Sequence, residues 1–584
     1  MARSFSVDAT NKRKGENMGA IDFNLSRRGF MKAAIATGAA AATVGLAGCS
    51  QPAKKTDSGS EKPIEESEAV ANIEPVSTPE KWDKEADVVV VGCGAAGLNA
   101  CARASERGAK TILIEKGDNP GGSAKYSTVA AAYGSKCQYE SCGFDLNDKA
   151  TWDTMFDTLW SQQDYTVEER VEKALIKKSG EMIDWMGDSL GIEWQDRHTT
   201  EERLHAFRYH MKKQPPEFRH VGIMGYVTDA LVEKVQEMGT ELMRKTEVTA
   251  LVKDEDRIVG VQVRQNDETM YIKGKSVVLC AGGMANNLDM LAKYVPTALE
   301  RCGSTWDMYG TGEVIRMGWG AGADIAGRDS FDCFDGGIPY YERGTGPWYR
   351  FLYSGDTALA RNPWLFVNDY AEQFCMLFPG DQSFWRPRII QSQPNHHAYV
   401  IFDDRFRDTI WTFGESGCRQ PVRPDDPGID YFKSVVPSTN WLDTVDEAID
   451  LGGIMKADTI EELAEKVGLD PRKLKETVSH YNKCCDEGHD DLFERDPAYL
   501  VSVTQAPFYI IEVKCTLAAT DCGLRVDEYM HVLDGQGNAI PGLFAAGHTA
   551  GGLSGEETTA KASTLTNCGL GFTTGYIAGS NVEF

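Results

Sequence analysis

The sequence lacks a basic excess: its 584 residues carry 61 Lys and Arg against 87 Asp and Glu, a formal charge of −26. That balance excludes nucleic acid as a partner, because phosphate recognition needs a cationic face. Solubility accounts for the charge, and docking to a basic electron-transfer protein is the other reading. Also missing from the 15 cysteines are any C-x-x-C pair and any C-x-x-C-H haem attachment site. Buried or free thiols are therefore expected, and no metal ligands. Cys137 with Cys142, or the adjacent Cys484 and Cys485, are the positions left for a disulfide or an iron–sulfur cluster. The uncharged apolar segment at 33–47 falls short of the roughly 20 residues a membrane span needs. What is present is ordinary for globular chains, 42% hydrophobic and 25% charged residues, with length for more than one compact unit.

The chain is organised around 86–116, ADVVVVGCGAAGLNACARASERGAKTILIEK. The β-branched run Val88 to Val91 predicts a buried parallel strand. Gly92, Gly94 and Gly97 follow as G-x-G-x-x-G, and then an apolar-periodic helix runs through Arg107. A second strand, Thr111 to Ile114, ends on Glu115. Gly92 permits the tight turn, Gly94 lets a pyrophosphate approach the backbone, and Gly97 lets helix and strand pack closely. The helix N-terminus offers free N–H groups to the phosphates, and Glu115 is placed for ribose hydroxyls. A dinucleotide site is expected here.

Residues 1–49 read as an address rather than as fold. Lys12, Arg13 and Lys14 precede Ser26-Arg27-Arg28-Gly29-Phe30-Met31-Lys32 and the apolar segment. This resembles a twin-arginine export signal. Leu46-Ala47-Gly48-Cys49 resembles a bacterial lipoprotein box, which implies lipidation at Cys49. Residues 50–85, rich in Lys, Glu, Ser and Pro, read as a disordered tether. The expected location is the outer face of the cytoplasmic membrane or the periplasm, with membrane contact only through the lipid anchor.

A second glycine loop, Pro120-Gly121-Gly122-Ser123-Ala124-Lys125-Tyr126-Ser127, follows Glu115 and Lys116. The E-K…G-G-S-A-K-Y-S pattern resembles a segment of the fumarate reductase and 3-oxosteroid dehydrogenase flavoproteins. Further marks recur in order: Thr246-Glu247-Val248 before a strand ending Ile258-Val259-Gly260-Val261, then Ser276 to Gly283, Gly310-Thr311-Gly312-Glu313, and Ile540 to Gly547. The resemblance implies FAD, and an α/β fold whose Rossmann-like FAD-binding domain is interrupted by an α+β cap. The expected division is 86–327 and 504–584 for the FAD-binding domain and 328–503 for the cap. Ala457-Asp458-Thr459, Glu461 to Leu463, Leu474, Val478, Tyr481, Gly488 and Phe493 carry the cap's family pattern and read as packing residues. The cofactor residues implied are Gly92, Gly94, Ala96, Gly97, Glu115, Lys116, Gly122, Ser123, Ser127, Thr128, Val248, Glu313, Gly547, His548, Ser563, Thr564 and Leu565. The last three open the final helix, expected at 563–578, whose positive end stabilises reduced flavin in the family.

The family's dicarboxylate reductases take a proton from a cap arginine and clamp carboxylates with His and Arg. That arginine falls at Arg386, with Arg388 as the neighbouring choice; a surface arginine beside Trp385 and Pro387 is the alternative for Arg386. The clamp does not carry over. Ala518-Ala519-Thr520-Asp521-Cys522-Gly523 replaces the family's H-H-T-M-G-G, and Ser554 to Ser563, with Glu556 and Glu557, replaces its H-G-A-N-R-L-G-G-N. Fumarate is thus not the expected substrate, since facing carboxylates repel by several kcal/mol at about 4 Å. Nor is there a tyrosine between Gly547 and Gly575, where the steroid branch grips a ketone. Tyr340, Tyr341, Trp348, Tyr349, Phe351 and Tyr353 read as packing or as an aromatic wall for a planar substrate.

The expectation is an exported FAD reductase acting on an electron-poor C=C bond of a small organic molecule. Its electrons would come from a separate redox partner such as a membrane or periplasmic cytochrome. A ketosteroid-type flavin dehydrogenase and a surface electron-transfer flavoprotein are the rival readings.

Overall fold

The computed structural model describes residues 68–127, 130–197, 207–211, 223–339, 355–374, 386–412, 440–554 and 565–584. The segment 1–49 with Cys49, the residues Thr128, Glu556, Glu557, Ser563 and Thr564, and the aromatic group at 340–353 lie outside them.

Val88–Val91 is a strand with every side chain buried, as its β-branched run predicts. It lies mid-sheet, parallel to Thr111–Ile114 on one side and Ser276–Leu279 on the other. Parallel strands in this position lose water from both faces, and each valine contributes about 1.5 kcal/mol or more by burial. Glu241–Met243 extends the sheet beyond Thr111–Ile114, and Ala539–Ala545 extends it beyond Ser276–Leu279. His531–Leu533 closes that edge antiparallel. The helix Ala95–Glu106 crosses the sheet and packs against the last helix, Thr566–Asn581. A twisted five-stranded sheet, built on the hairpin of Thr246–Asp254 and Arg257–Gln265, stands beside the cofactor strands.

The rest of the chain is organised by one long strand, Phe508–Thr520. It pairs with Ala398–Asp403 and Ile454–Ala457 at its first half and with Cys302–Thr305 and Phe331–Gly337 at its second. The expected boundary at 503/504 assigns this strand to the cofactor part. Its first half instead lies in the sheet of the intervening segment, so the strand runs through both. Two further hydrophobic cores form around it, one with Phe366, Phe402 and Tyr509, the other with Leu463, Leu474 and Tyr481. Thr459 caps the helix Ile460–Val467 by accepting the Glu462 N–H, and Leu474, Val478 and Tyr481 are buried as the stripe predicts.

His397 ties this sheet to a neighbouring turn. Its Nδ1 lies 2.7 Å from Glu512 Oε1 and its Nε2 lies 2.5 Å from Asp369 Oδ1. Burial alone would lower the imidazolium, but the two carboxylates outweigh it and raise it above the ordinary value of 6.5. The contribution is therefore complete below the unfolded-state value and disappears as pH rises through the raised folded-state one. His397→Gln should lose roughly 1.5 kcal/mol at about pH 6 and progressively less on raising the pH to about 9. Denaturant melts at the two pH values measure this; an equal loss at both would refute the ion-pair account.

Candidate active site

The two glycine loops fold against each other. Gly121 N–H donates to Cys93 O at 2.7 Å, and a Cβ on Gly122 would lie 3.2 Å from Gly94 Cα. Gly92 has φ +99°, and a Cβ there would stand 2.6 Å from Cys280 O, so the turn and the strand contact both require glycine. A Cβ on Gly97 would meet Gly92 O at 1.9 Å, which is the close helix–strand approach expected of the third glycine. Gly94 differs: with φ −89° it is ordinary extended backbone, and a Cβ there would meet nothing within 4 Å. The space beside it is the cleft.

That cleft has a volume of about 490 Å³, within the range of small-molecule and cofactor sites. Gly92, Gly94, Ala96, Glu115, Lys116, Gly122, Ser123, Ser127, Val248, Glu313, Gly547 and His548 all line it. Gly97 lies behind the loop as a packing residue. Leu565 is fully buried at the start of the last helix, whose next residues Asn567 and Cys568 reach the cleft.

Side-chain roles differ from the simplest expectation at two places. The Glu115 carboxylate accepts the Cys93 N–H at 3.0 Å and the Gly117 N–H at 2.7 Å, so it braces the first glycine loop at the tip of its strand. Lys116 forms ion pairs with Glu313 at 3.0 Å and Glu247 at 3.1 Å, closing one end of the cleft. Burial alone would lower the Lys116 ammonium; the two glutamates raise it.

Several lining residues were not singled out from the sequence. Asp307 accepts the Ser123 hydroxyl at 2.9 Å and the N–H groups of Tyr309 and Gly310 at 3.2 and 3.3 Å. Trp306, Tyr309, Asn567 and Cys568 line the cleft too. The sequence signals here were Gly310 to Glu313 just beyond and Ala518-Ala519 in place of the family's histidines. Burial pushes the Cys568 thiol up to about 12, and Cys93 and Cys280 are raised too; the cleft's thiols are neutral walls, not nucleophiles. Cys484 and Cys485 are free thiols, so the disulfide between them does not form.

Arg386 and Arg388 open the short helix Arg386–Gln391 and do not line the cleft formed by the described residues. Arg386 is not a surface loop residue. It is 3% exposed, with Nε 3.3 Å from Asp335 Oδ2, and Arg361 Nη2 sits 2.9 Å from the other oxygen of the same carboxylate. Arg388 is half-buried.

His548 stands where the cleft meets a buried acidic pair. Its Nδ1 is 3.4 Å from Asp521 Oδ1, too poorly aligned for a hydrogen bond, and both ring nitrogens lack a hydrogen-bond partner among the described residues. Asn567 Oδ1, also at the cleft, is likewise unpaired there. Buried polar atoms of this kind call for a ligand. With the glycine loops, the open space at Gly94 and the helix N-terminus, they fit a flavin dinucleotide.

The comparisons agree. The FAD binding domain family matches residues 87–560. The chain is 29% identical over 488 residues to a vinyl phenol reductase of Lactiplantibacillus plantarum, covering 80% of this chain and 91% of that protein. It is 26% identical over 506 residues to a urocanate reductase of Eggerthella lenta, with 86% and 75% covered. The open conformation of a flavocytochrome c3 fumarate reductase has the same fold, with a TM-score of 0.60 at 24% identity over 86% of this chain and 78% of that one. The chain belongs to the FAD binding domain family, as an FAD-dependent oxidoreductase acting on CH–CH groups.

Proposed function

We propose that the protein is an exported, lipid-anchored FAD reductase that saturates an electron-poor C=C bond in an organic acceptor other than a dicarboxylate. The observation that carries the substrate class is the lining of the cleft, where Ala518 and Ala519 stand and no arginine is found among the described residues. Two alanines leave an apolar wall with no cation to hold a second carboxylate. An alkene conjugated to an aryl or carbonyl group suits this wall, and the vinyl phenol reductase relative, aligned over most of its length, supports an aryl case.

When bound, FAD supplies hydride transfer to one carbon of the alkene. The chain's own part is to bind the cofactor, exclude water and deliver a proton to the other carbon. Gly92, Gly94 and the N-terminus of Ala95–Glu106 receive the pyrophosphate, and the N-terminus of Thr566–Asn581 directs its positive end at the cleft. Arg386 is the proton donor by family resemblance; in that role its guanidinium leaves Asp335 when substrate binds. Export and the lipid anchor rest on Arg27, Arg28 and Cys49, and a separate redox partner follows from the lack of a haem attachment motif.

Anaerobic oxidation of reduced viologen by the FAD-loaded protein tests the reading with vinylphenols, enones, acrylates, urocanate, steroids and fumarate. An aryl-conjugated alkene should turn over at least about tenfold faster than fumarate, a difference of about 1.4 kcal/mol. Preferred turnover of fumarate, or no alkene turned over, overturns it. Bleaching of oxidised flavin by a saturated ketosteroid alone would favour the dehydrogenase instead.

A further inference from the structure

Two carboxyl groups are buried behind the cleft wall. Asp332 is 3% and Asp521 2% exposed. The antiparallel pairing of Phe331–Gly337 with Phe508–Thr520 sets Asp332 opposite Ala519, two residues before Asp521. The backbone fixes both: Asp521 N–H donates to Ser330 O at 3.0 Å, and Asp521 O accepts the Gly552 N–H at 2.9 Å. Burial and the negative charge of Asp521 hold the Asp332 carboxyl well above the usual range, and Asn567 hydrogen-bonds it. The Asp332 carboxyl therefore keeps its proton. Asp521 Oδ2 has no hydrogen-bond partner among the described residues, and Asp521 Oδ1 faces His548 Nδ1 at 3.4 Å. A buried charge with no donor is costly; a protonated imidazole beside it would remove that cost.

We propose that Asp332, Asp521 and His548 form a proton site serving the cofactor cleft, with His548 as its proton carrier, Asp521 as the counter-ion, and Asp332 as the positioning residue that keeps that counter-ion charged. This rests on the reductase reading. When a donor delivers two electrons to the cleft, water supplies two protons, one that enters with the reduced cofactor and one that binds His548. In turnover the acceptor gains a hydride at one carbon and a proton at the other; the His548 proton replaces the one that the donor gives up, and the site returns to rest.

The other ionisable groups packed here do not compete. Cys522, with Arg328 and Asp329 near it, and Cys333 beside Asp332 are thiols kept neutral by burial. Asp307, Tyr309 and Cys568 also line the cleft; the Asp307 carboxylate is engaged by Ser123, Tyr309 and Gly310.

The test counts protons taken up per two electrons, with an indicator dye, as the full-length FAD-loaded protein is reduced at about pH 7.5 without any acceptor. The wild type should take up about two, and His548→Gln and Asp521→Asn about one each, with FAD occupancy checked by absorbance. Asp332→Asn, which exchanges a neutral carboxyl for a neutral amide, should stay near two. Asp521→Asn keeps the test decisive if His548→Gln disturbs cofactor binding, because Asp521 does not line the cleft. A wild-type count of one, or of two in Asp521→Asn, overturns the proposal. No alkene is present, so failure here is distinct from failure of the substrate assignment.

Discussion

Gly94→Ala is expected to fold as the wild type does and to lose its cofactor. Glycine and alanine are both acceptable at this position for the chain itself: the backbone is extended at φ −89° and ψ −169°, and an added methyl meets no atom within 4 Å. As the residue before the helix Ala95–Glu106, glycine caps slightly better than alanine, a difference of about 0.5 kcal/mol. The methyl instead occupies the space where the pyrophosphate must touch the backbone. A fall in FAD affinity on the order of 100-fold, about 2.7 kcal/mol, is expected, with the melting temperature of the cofactor-free protein unchanged. Gly92→Ala provides the contrast, since its methyl would collide with Cys280 O at 2.6 Å and the cofactor-free protein itself should melt early. If Gly94→Ala binds FAD as tightly as the wild type, the phosphates do not lie against this loop.

Those two glycines were legible because their signal is local. A β-branched run, a fixed glycine spacing and a terminal acid lie within thirty-one consecutive residues, and the backbone conformation they demand needs nothing from elsewhere. The strands at 246–254, 257–265, 276–279 and 539–545 overlap segments that the family resemblance marked out. What the sequence withheld depends on partners far apart in the chain. Lys116 reads as a cofactor residue, but its ion pair with Glu313, 197 positions on, is visible only in the fold. Arg386 reads as the cap's proton donor or as a surface arginine because nothing nearby announces Asp335. The acidic pair is hidden further, because Asp332 and Asp521 meet only through strand register. Pairing along Phe508–Thr520 is hidden in the same way: periodicity cannot say that its first half pairs with Ala398–Asp403 and its second with Phe331–Gly337.

Gly575→Ala should cost the protein about 3 kcal/mol or more, although alanine is the better helix former by about 1 kcal/mol. The last helix carries Gly571, Gly575 and Gly579 at four-residue spacing, one stripe on one face. Methyls there would stand 3.1 Å from Ala95 Cβ, 2.1 Å from Ala96 O and 2.5 Å from Ala100 O respectively. The first contact is with a side-chain methyl and needs only a small shift. The second is with a backbone carbonyl inside the helix Ala95–Glu106, which cannot rotate away without breaking its own ladder. Across the far end, Arg103 Nε donates to Ser580 Oγ at 3.1 Å and Arg107 Nη1 to Gly579 O at 2.9 Å, so the two helices are also pinned there. A methyl at 575 must therefore lever the helices apart toward their other end, where Asn567 and Cys568 line the cleft. Thermal unfolding should show the loss in the cofactor-free protein, and FAD affinity should fall with it, unlike the pure binding defect of Gly94→Ala. A Gly575→Ala protein that melts at or above the wild-type temperature would mean that helix propensity outweighs the crossing contact, and that these two helices are not held at the distance seen here.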